Sequence, residues 1–582
     1  MVQRRWKLGG VPDGTGVRDL AQALRCSMLL ARLLCRRGIS APDVARDFLK
    51  PKLSSLHDPA SLPQIDAAVS RVEHAIRQRE SVAIFGDYDV DGVSSTALLY
   101  EFFRLIQFPV THHLPSRLGD GYGLKPHSID RLADDGVRLV VTVDNGVSAH
   151  EAIERARGRG VDVVVLDHHQ PPMDLPQACA IVNPWLPDSR YPYQNLAGVG
   201  VTFKFVWALC QRLSRQTKLS DEFRTFLMDA LGLVALGTVA DVVPLTGENR
   251  VLVRFGLRAL QASQRPGLRQ LVSNVRRGEG VGISATDVAF RIAPVINAAG
   301  RLGRAETALE LILTKDADEA QRISKELQAE NRRRRQIEVD IFSEACDMVR
   351  ESVNLQEERA IVLGAPGWHV GVIGVVASRL MEEFFRPTLL VAFDGDRGRG
   401  SARSIPGVHI ARALAACSEC LVSHGGHELA AGVEIDPSRL DDLRSRLNGA
   451  IGIAPQDMVP VIEADAVVSL AELSRESLEE IELLEPFGAE NPSPLFLVED
   501  AEVVGKPKII GSDSKHLSFH VRHDGVVRRA IAFGQGAAYD SLCAPSTTVS
   551  LLAQPQLSTW GAPPPTVELN VREIRVSRPA RV

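Results

Sequence analysis

The chain has 582 residues, 45% hydrophobic and 24% charged, with a formal net charge of −5. That length suggests roughly three to five domains, and the composition is that of a globular protein with ample core. The charge balance excludes a polycation, so any nucleic-acid binding has to use local basic surface.

The N-terminus, Met1-Val2-Gln3-Arg4-Arg5-Trp6, lacks the apolar core of a signal peptide. The most membrane-like stretch, Ala230 to Ala240, lies between Asp229 and Asp241 and is too short to span, so a cytoplasmic protein without membrane contact is expected. Of the eight cysteines, the closest pair is Cys417 and Cys420. Half a zinc site and a redox pair are alternatives there, and buried thiols are the expected reading.

Residues 1–60 read as mostly helical, as in Ala21 to Leu34 and Ala41 to Leu49. Asp66 to Arg79, with Val69, Val72, Ala75 and Ile76 on one face, reads as an amphipathic helix. The apolar runs Val82 to Phe85, Leu139 to Val143 and Val161 to Leu166 then alternate with helical segments, which predicts a parallel sheet covered by helices.

Acids follow each run. After the first come Asp87, Asp89 and Asp91, after the second Asp144-Asn145-Gly146, and after the third Asp167-His168-His169. Three carboxylates between a buried strand and a helix start repel one another unless a cation sits among them. Taken alone, Asp87 to Asp91 could equally be a solvated acidic turn, and a single Asp after a strand is usually a helix cap. Loops after adjacent parallel strands converge at the carboxyl edge of the sheet, so three acid-bearing loops, one with a His pair, favour a common pocket. Asp241 ends the small, apolar Leu231 to Ala240 segment; it either joins that pocket or caps the chain before Pro244.

Asn297 to Arg304 is expected to be a Gly-rich turn carrying Arg301. Asp316 to Arg350 reads as one long connecting helix, whose Arg332 to Arg335 run is expected to be solvated. A second α/β unit follows, with strands at Ala360 to Leu363 and Thr388 to Phe393 and with Gly367-Trp368-His369 leading into a helix. In Arg399 to Ser404 the glycine allows a close backbone approach, and Ser401 and Arg403 offer donors to phosphate oxygens. His427, in His424-Gly425-Gly426-His427-Glu428, is open to metal-ligand, substrate-contact or capping roles.

From about Val459 the texture is all-β, and about five short strands suit an OB-like closed barrel. Lys506, Lys508, Lys515, Arg528 and Arg529 are candidate phosphate contacts. His520 and Phe533 are candidate stacking residues, with Phe519 expected in the core. The expected division is 1–60 helical, 61–315 α/β with a parallel sheet, 316–350 connecting helix, 351–455 smaller α/β unit and 456–582 barrel.

Pooled, the acids and imidazoles form an oxygen-rich set that prefers Mn²⁺ or Mg²⁺ to a structural Zn²⁺. So many carboxylates suggest two ions, the arrangement that suits phosphoester hydrolysis. The stretches Asp-Tyr-Asp-Val-Asp-Gly, Val-Asp-Asn-Gly, Asp-His-His and Ala-Asp-Val-Val-Pro-Leu, in this order and spacing, resemble the four motifs of the DHH phosphoesterase superfamily. Gly425-Gly426-His427 is similar to the DHH-associated domain. With the barrel, the chain resembles the bacterial RecJ family of single-stranded-DNA-specific exonucleases over nearly its whole length.

The resemblance implies metal ligands at Asp89, Asp91, Asp144, His168 and Asp241, with Asp87 and His169 as catalytic partners and Asp167 orienting the His pair. Phe85 stands where small-substrate DHH enzymes carry a further His ligand. The resemblance also implies that Arg117, Ser401 and Arg403 grip a 5′-terminal phosphate, that Arg301 and His369 lie near the scissile bond, and that His427 contacts substrate. It further implies 5′→3′ polarity, a monomer, a role in DNA repair and recombination, and assistance from a helicase and a single-strand-binding protein. Two alternatives stay open: a DHH phosphoesterase for short oligonucleotides or cyclic dinucleotides, and a non-catalytic replication scaffold.

Overall fold

The computed structural model describes the chain except for residues 1–3, 11–13, 116–122, 215–218, 276–281, 512–513, 559–565 and 578–582. It divides into two units. One runs from Ser55 to Pro460, and the other joins Arg4–Ser54 to Val461–Val582.

The N-terminal segment opens with strand β1 (Arg5–Leu8), followed by helices α1 (Gly14–Leu24), α2 (Met28–Arg36) and α3 (Pro42–Leu49). Ser27 caps α2 by accepting the Leu30 N–H at 3.2 Å. The inward faces of these helices, Leu20, Leu30, Leu33 and Leu34 among them, do not form a core of their own. They share one with the C-terminal barrel.

In the first unit, α4 (Ile65–Gln78) leads into a parallel sheet of β2 (Val82–Phe85), β3 (Thr111–His113), β4 (Leu139–Val143), β5 (Asp162–Leu166) and β6 (Ala180–Val182), in spatial order β3-β2-β4-β5-β6. Between the strands run α5 (Val90–Leu105), α6 (Pro126–Asp134) and α7 (His150–Gly158). Ile129, Leu132 and Ile153 of the latter two pack on Ala83, Val140 and Val163. Strands covered on both sides read as unbroken apolar runs, and β2 and β4 are buried at every position.

After the sheet come α8 (Gly198–Ser214), α9 (Asp221–Ala240) and α10 (Gly247–Ala262). By length and composition α9 could cross a membrane. It begins nine residues before the apolar stretch the sequence suggested, capped by Ser220, and it packs against α5, α8 and α10. Phe102 and Phe103 of α5 are fully buried, each stabilising by about 1.5–3 kcal/mol.

Asn297 to Arg304 is not a turn. The chain is helical over Ala293–Arg301 and turns only afterwards. Ala298, Ala299 and Gly300 are buried, and a Cβ on Gly300 would lie 2.4 Å from the Tyr88 carbonyl oxygen. Small residues let this helix close on the acidic loop.

The connecting helix spans Ala317–Ser352 and is capped by Asp316. Arg332, Arg333 and Arg335 are exposed, whereas Arg334 is buried, donating to Asn331 at 3.2 Å and Glu338 at 2.9 Å. The second α/β region holds β7 (Ile361–Pro366), β8 (Thr388–Asp394), β9 (Arg397–Arg403), β10 (Ser423–Gly426) and β11 (Ala430–Ile435), in order β10-β11-β9-β8-β7. Ser401 and Arg403 therefore sit on a strand, with Ser401 opposite Gly432 of β11. Cys417 and Cys420 are buried free thiols.

In the second unit, β12 (Val461–Ala464) pairs with β1, and β13 (Ala466–Val467) leads to β14 (Phe496–Ile510), β15 (His516–His523), β16 (Val526–Ala532), β17 (Thr548–Ser558) and β18 (Thr566–Ser577). The pairings β14–β15–β16–β18–β17 return to β14 and close the barrel. Phe519 is core, and Phe533 is exposed.

Candidate metal centre and phosphate cavity

Sheet geometry places the acids. Backbone pairing continues one residue past the strands: Asp144 N–H donates to Leu166 O at 2.9 Å, and Asp167 N–H to Val182 O at 3.1 Å. Both residues are thereby fixed at the carboxyl edge. Asp144 takes a left-handed φ of 62°, a conformation Asp tolerates better than most residues.

Asp89 caps α5, its Oδ1 accepting the Gly92 N–H at 3.0 Å, and the Val90 N–H donates to Asn297 Oδ1 at 3.2 Å. Asp91 lies in the first turn of α5, where its oxygens accept the N–H groups of Gly198 at 2.7 Å and Val199 at 2.9 Å from the start of α8. Asp241 ends α9. Val242 after it has φ 60°, a strained geometry for a β-branched residue, costing about 1–3 kcal/mol. Asn249 holds the turn, donating to Pro244 O at 3.0 Å and Asn195 O at 2.6 Å.

These loops meet at His168. Its Nε2 lies 3.2 Å from Asp144 Oδ1, 3.6 Å from Asp241 Oδ2 and 3.9 Å from Asp91 Oδ2, without a hydrogen-bond partner although buried. Potential ligand atoms of Asp144, His168 and His169 lie within 4.8 Å of one another, as do those of Asp91, His168 and Asp241, and those of Asp87, Asp89 and Asp144.

Burial, then the charge of Asp89, pushes the Asp91 carboxyl up to about 7 against the pull of the Gly198 and Val199 N–H groups. Burial and surrounding carboxylates push Asp144 and Asp241 up as well. Burial, then the positive charge on His169, lowers His168 to about 4, so its imidazole is neutral near pH 7 with a lone pair to give.

His169 behaves oppositely. Burial disfavours its charge, but the hydrogen bond and charge of Asp167, 2.7 Å from Nδ1, raise it to about 9. Asp167, lowered to about 2 by the His169 pairing despite burial, also accepts the Val147, His168 and His169 N–H groups. It is an orienting group with its lone pairs already used. A hard divalent cation fits the set: crowded, buried carboxyl groups of Asp91, Asp144 and Asp241, each pushed upward by burial and then by its acidic neighbours, around an imidazole nitrogen that no protein group satisfies.

A cavity of about 470 Å³ is lined by Tyr88 of the acidic loop together with Gly371, Ser401, Arg403 and Gly426. Arg403 Nη1 donates to Ser401 Oγ at 3.0 Å. Arg301 and His369 meet at Gly371, whose carbonyl accepts from Arg301 Nη1 at 3.0 Å and whose N–H donates to His369 Nδ1 at 3.1 Å. Burial, then the charge of Arg333, lowers the His369 pKa.

The structure thus gathers Asp87, Asp89, Asp91, Asp144, His168, His169 and Asp241 at one centre, and Ser401 and Arg403 in one cavity. His427 is exposed in the turn after β10, neither in the cavity wall nor in the metal-capable groups among the described residues. Arg117 lies outside the described residues. Phe85 is buried at the end of β2, so no imidazole stands there.

Sequence reasoning passed over Asn145, which ties Val143 O to Phe85 O, and also Asn249 and Asn297. Asn145 and Asn297 lie inside motifs already singled out, and that position was their available signal.

A parallel sheet that presents crowded carboxylates and an imidazole, joined to a second α/β region whose Ser401 and Arg403 line a facing cavity, is the arrangement of a DHH phosphoesterase. Residues 81–238 match the DHH family N-terminal domain, 357–452 the DHHA1 domain and 464–573 the RecJ OB domain. The chain belongs to the RecJ family of single-stranded-DNA-specific exonucleases. It is 34% identical over 560 residues to the Bacillus subtilis single-stranded-DNA-specific exonuclease RecJ, covering 96% of this chain and 69% of that protein. With the Dickeya dadantii RecJ it shares 36% identity over 481 residues, 80% of this chain and 83% of that one. The crystal structure of Thermus thermophilus RecJ in complex with Mn²⁺ superposes with a TM-score of 0.82 at 31% identity, covering 99% of this chain and 80% of that chain.

Proposed function

We propose that this chain is a Mn²⁺- or Mg²⁺-dependent exonuclease that hydrolyses the phosphodiester bonds of single-stranded DNA from the 5′ end. One observation carries the reading. The loop of the buried carboxylate–imidazole centre supplies Tyr88 to the same cavity that Ser401 and Arg403 line.

In this reading Asp89, Asp91, Asp144, His168 and Asp241 hold the metal, with enough donors for two ions. When bound, such cations activate water and stabilise phosphoryl oxygens. Asp87 completes the acidic wall. His169, clamped through Nδ1 by Asp167, holds a proton at Nε2 for the leaving oxygen. Arg301 and His369 flank the scissile phosphate. Ser401 Oγ and the Arg403 guanidinium, with Arg117, receive the terminal 5′ phosphate, and His427 contacts the strand at the rim. Relatives named as single-stranded-DNA-specific exonucleases, one solved with Mn²⁺, support the assignment.

The reading extends to a monomer working in the cytoplasm in DNA repair and recombination. There a helicase opens the duplex and a single-strand-binding protein keeps the strand extended, since a single-strand-specific enzyme needs its substrate unpaired.

Single strands labelled at either end, incubated with Mn²⁺, Mg²⁺ or EDTA, test this. A 5′ label should appear at once as mononucleotide, EDTA should stop cleavage, and duplex should resist. Early release of the 3′ label would refute the polarity. Equal rates on dinucleotides and long strands would indicate an oligonucleotide phosphoesterase, and no metal-dependent cleavage would leave a scaffold.

A further inference from the structure

We propose that the connecting helix holds the substrate phosphate next in line to be cut: Arg333 receives the phosphate one step 3′ of the scissile one and hands it on when the terminal nucleotide leaves. The proposal deepens the nuclease reading and rests on it for the substrate and its polarity.

The helix period splits the arginine run at 332–335. Arg334 falls on the packed face with Leu327, Asn331 and Ile341, where Glu338 neutralises it at 2.9 Å. Arg332, Arg333 and Arg335 fall on the opposite arc and are exposed. Among the described residues none of these three makes an ion pair. The nearby carboxylates of the helix are spent elsewhere: Glu330 lies 2.9 Å from Arg304, and Glu338 is shared between Arg334 and Arg379.

A charge run on a helix is ordinarily just a solvated face, so position has to decide. The connecting helix packs against both the Ala293–Arg301 helix and the Val370–Phe384 helix, the two that bring Arg301 and His369 together at Gly371. Arg333 comes close enough there for its charge to act on the His369 ring. It is absent from the described wall of the cavity that takes the 5′-terminal nucleotide. A cation beside the scissile position yet outside the terminal cavity lies on the 3′ side of the cut.

Successive phosphates of a strand are one nucleotide apart. Release of the terminal nucleotide therefore shifts each phosphate one place toward Ser401 and Arg403, and the phosphate on Arg333 becomes the one between Arg301 and His369. A guanidinium suits that station, since it is always charged and presents paired donors to phosphate oxygens. Its exposure keeps the grip weak enough to release.

The test uses the full chain with Mn²⁺ and 5′-phosphorylated oligo(dT). It reads release of the first nucleotide and, under a heparin trap, the number released per binding event. Arg333→Gln should lower the first-cut kcat/KM about tenfold, as loss of one charged phosphate contact does. It should also shorten the run, with an unchanged melting temperature because the side chain is exposed. Arg333→Lys should recover most of both. A neutral methylphosphonate at the linkage next 3′ to the scissile one should slow the parent equally and abolish the difference between parent and Arg333→Gln. The same replacement one linkage further along should leave that difference intact.

A first-cut rate for Arg333→Gln within twofold of the parent would overturn the proposal. So would a tenfold loss that persists on the methylphosphonate strand, which would assign Arg333 to holding His369 instead of the substrate. The nuclease reading is scored separately on the parent. Absent cleavage refutes that reading, while anisotropy of the same two strands in EDTA still shows whether Arg333 contacts that phosphate.

Discussion

Asp91 accepts the backbone N–H of Gly198 at 2.7 Å, so the first turn of α8 steadies one carboxylate of the cluster while the bare Cα of Gly198 lies against another. Helix N-termini favour anions, which partly offsets the repulsion among the acids. A Cβ on Gly198 would stand 2.7 Å from Asp144 Oδ1. Gly198→Ala should therefore displace Asp144 and weaken Mn²⁺ binding about 10- to 100-fold, as loss of ligand positioning does. Free Mn²⁺ measured by electron paramagnetic resonance reads this out, and parental affinity would refute the close-packing account.

Asp144 combines a left-handed backbone with a carboxylate pushed well above its ordinary range by burial and its neighbours. Asn keeps the conformation and removes the charge. In EDTA near pH 8, Asp144→Asn should melt at or above the parent temperature, because a repelling charge has gone. It should lose both nuclease activity and the melting increment that Mn²⁺ gives the parent. A lower melting temperature in EDTA would contradict the repulsion argument.

The pH dependence follows from Asp91. Its folded-state pKa is raised to about 7 from an ordinary 3.8, so folding favours the protonated form. That contribution is fully present below the ordinary value and is lost as pH rises through about 7. Metal must displace the proton. The Mn²⁺-induced rise in melting temperature should therefore be larger near pH 8 than near pH 5, and calorimetry in buffers of different ionisation enthalpy should show proton release near neutrality. Binding without proton release would count against a protonated carboxyl in the metal-free centre.

How far the sequence could be read depended on what each feature leaves in it. β2 and β4 coincide residue for residue with apolar runs because both of their faces are covered. The acids at their ends were visible for the same reason: charge abutting a buried strand stands out. β14 shows no single alternation along its length, because it carries Gly505 and Pro507, where its register with β15 shifts. Asn249 left no trace, since an amide bonded to backbone carbonyls follows no period. The pairing of β1 with β12 joins segments separated by the whole first unit, which no local pattern encodes.

Away from the centre, Lys204 and Glu248 form a buried pair at 2.6 Å. Tyr191 donates to Glu248 at 2.5 Å, and the backbone of His57 closes the network. Burial pushes the Lys204 pKa down and Glu248 holds it up. Removing one partner strands a charge, so Glu248→Ala should cost about 3–5 kcal/mol in urea unfolding, whereas Lys204→Met with Glu248→Leu should be near neutral. A single variant as mild as the double would show that the ammonium finds another partner.

The shared core of the second unit sets how the chain can be cut. Leu29, Leu30, Leu33 and Leu34 of α2 are buried in the same cluster as Phe496, Phe519 and Leu551 of the barrel. A chain ending at Pro460 but retaining its N-terminus would expose that helical face, and exposed apolar patches of this kind drive association. Size-exclusion chromatography should find it aggregated, whereas residues 55–460 alone should elute as a single species that still cleaves short single strands with Mn²⁺. A well-behaved chain ending at Pro460 would show that the N-terminal helices are stable without the barrel. Loss of long-strand binding in the 55–460 piece, with short-strand cleavage kept, would place the extended DNA contacts in the second unit.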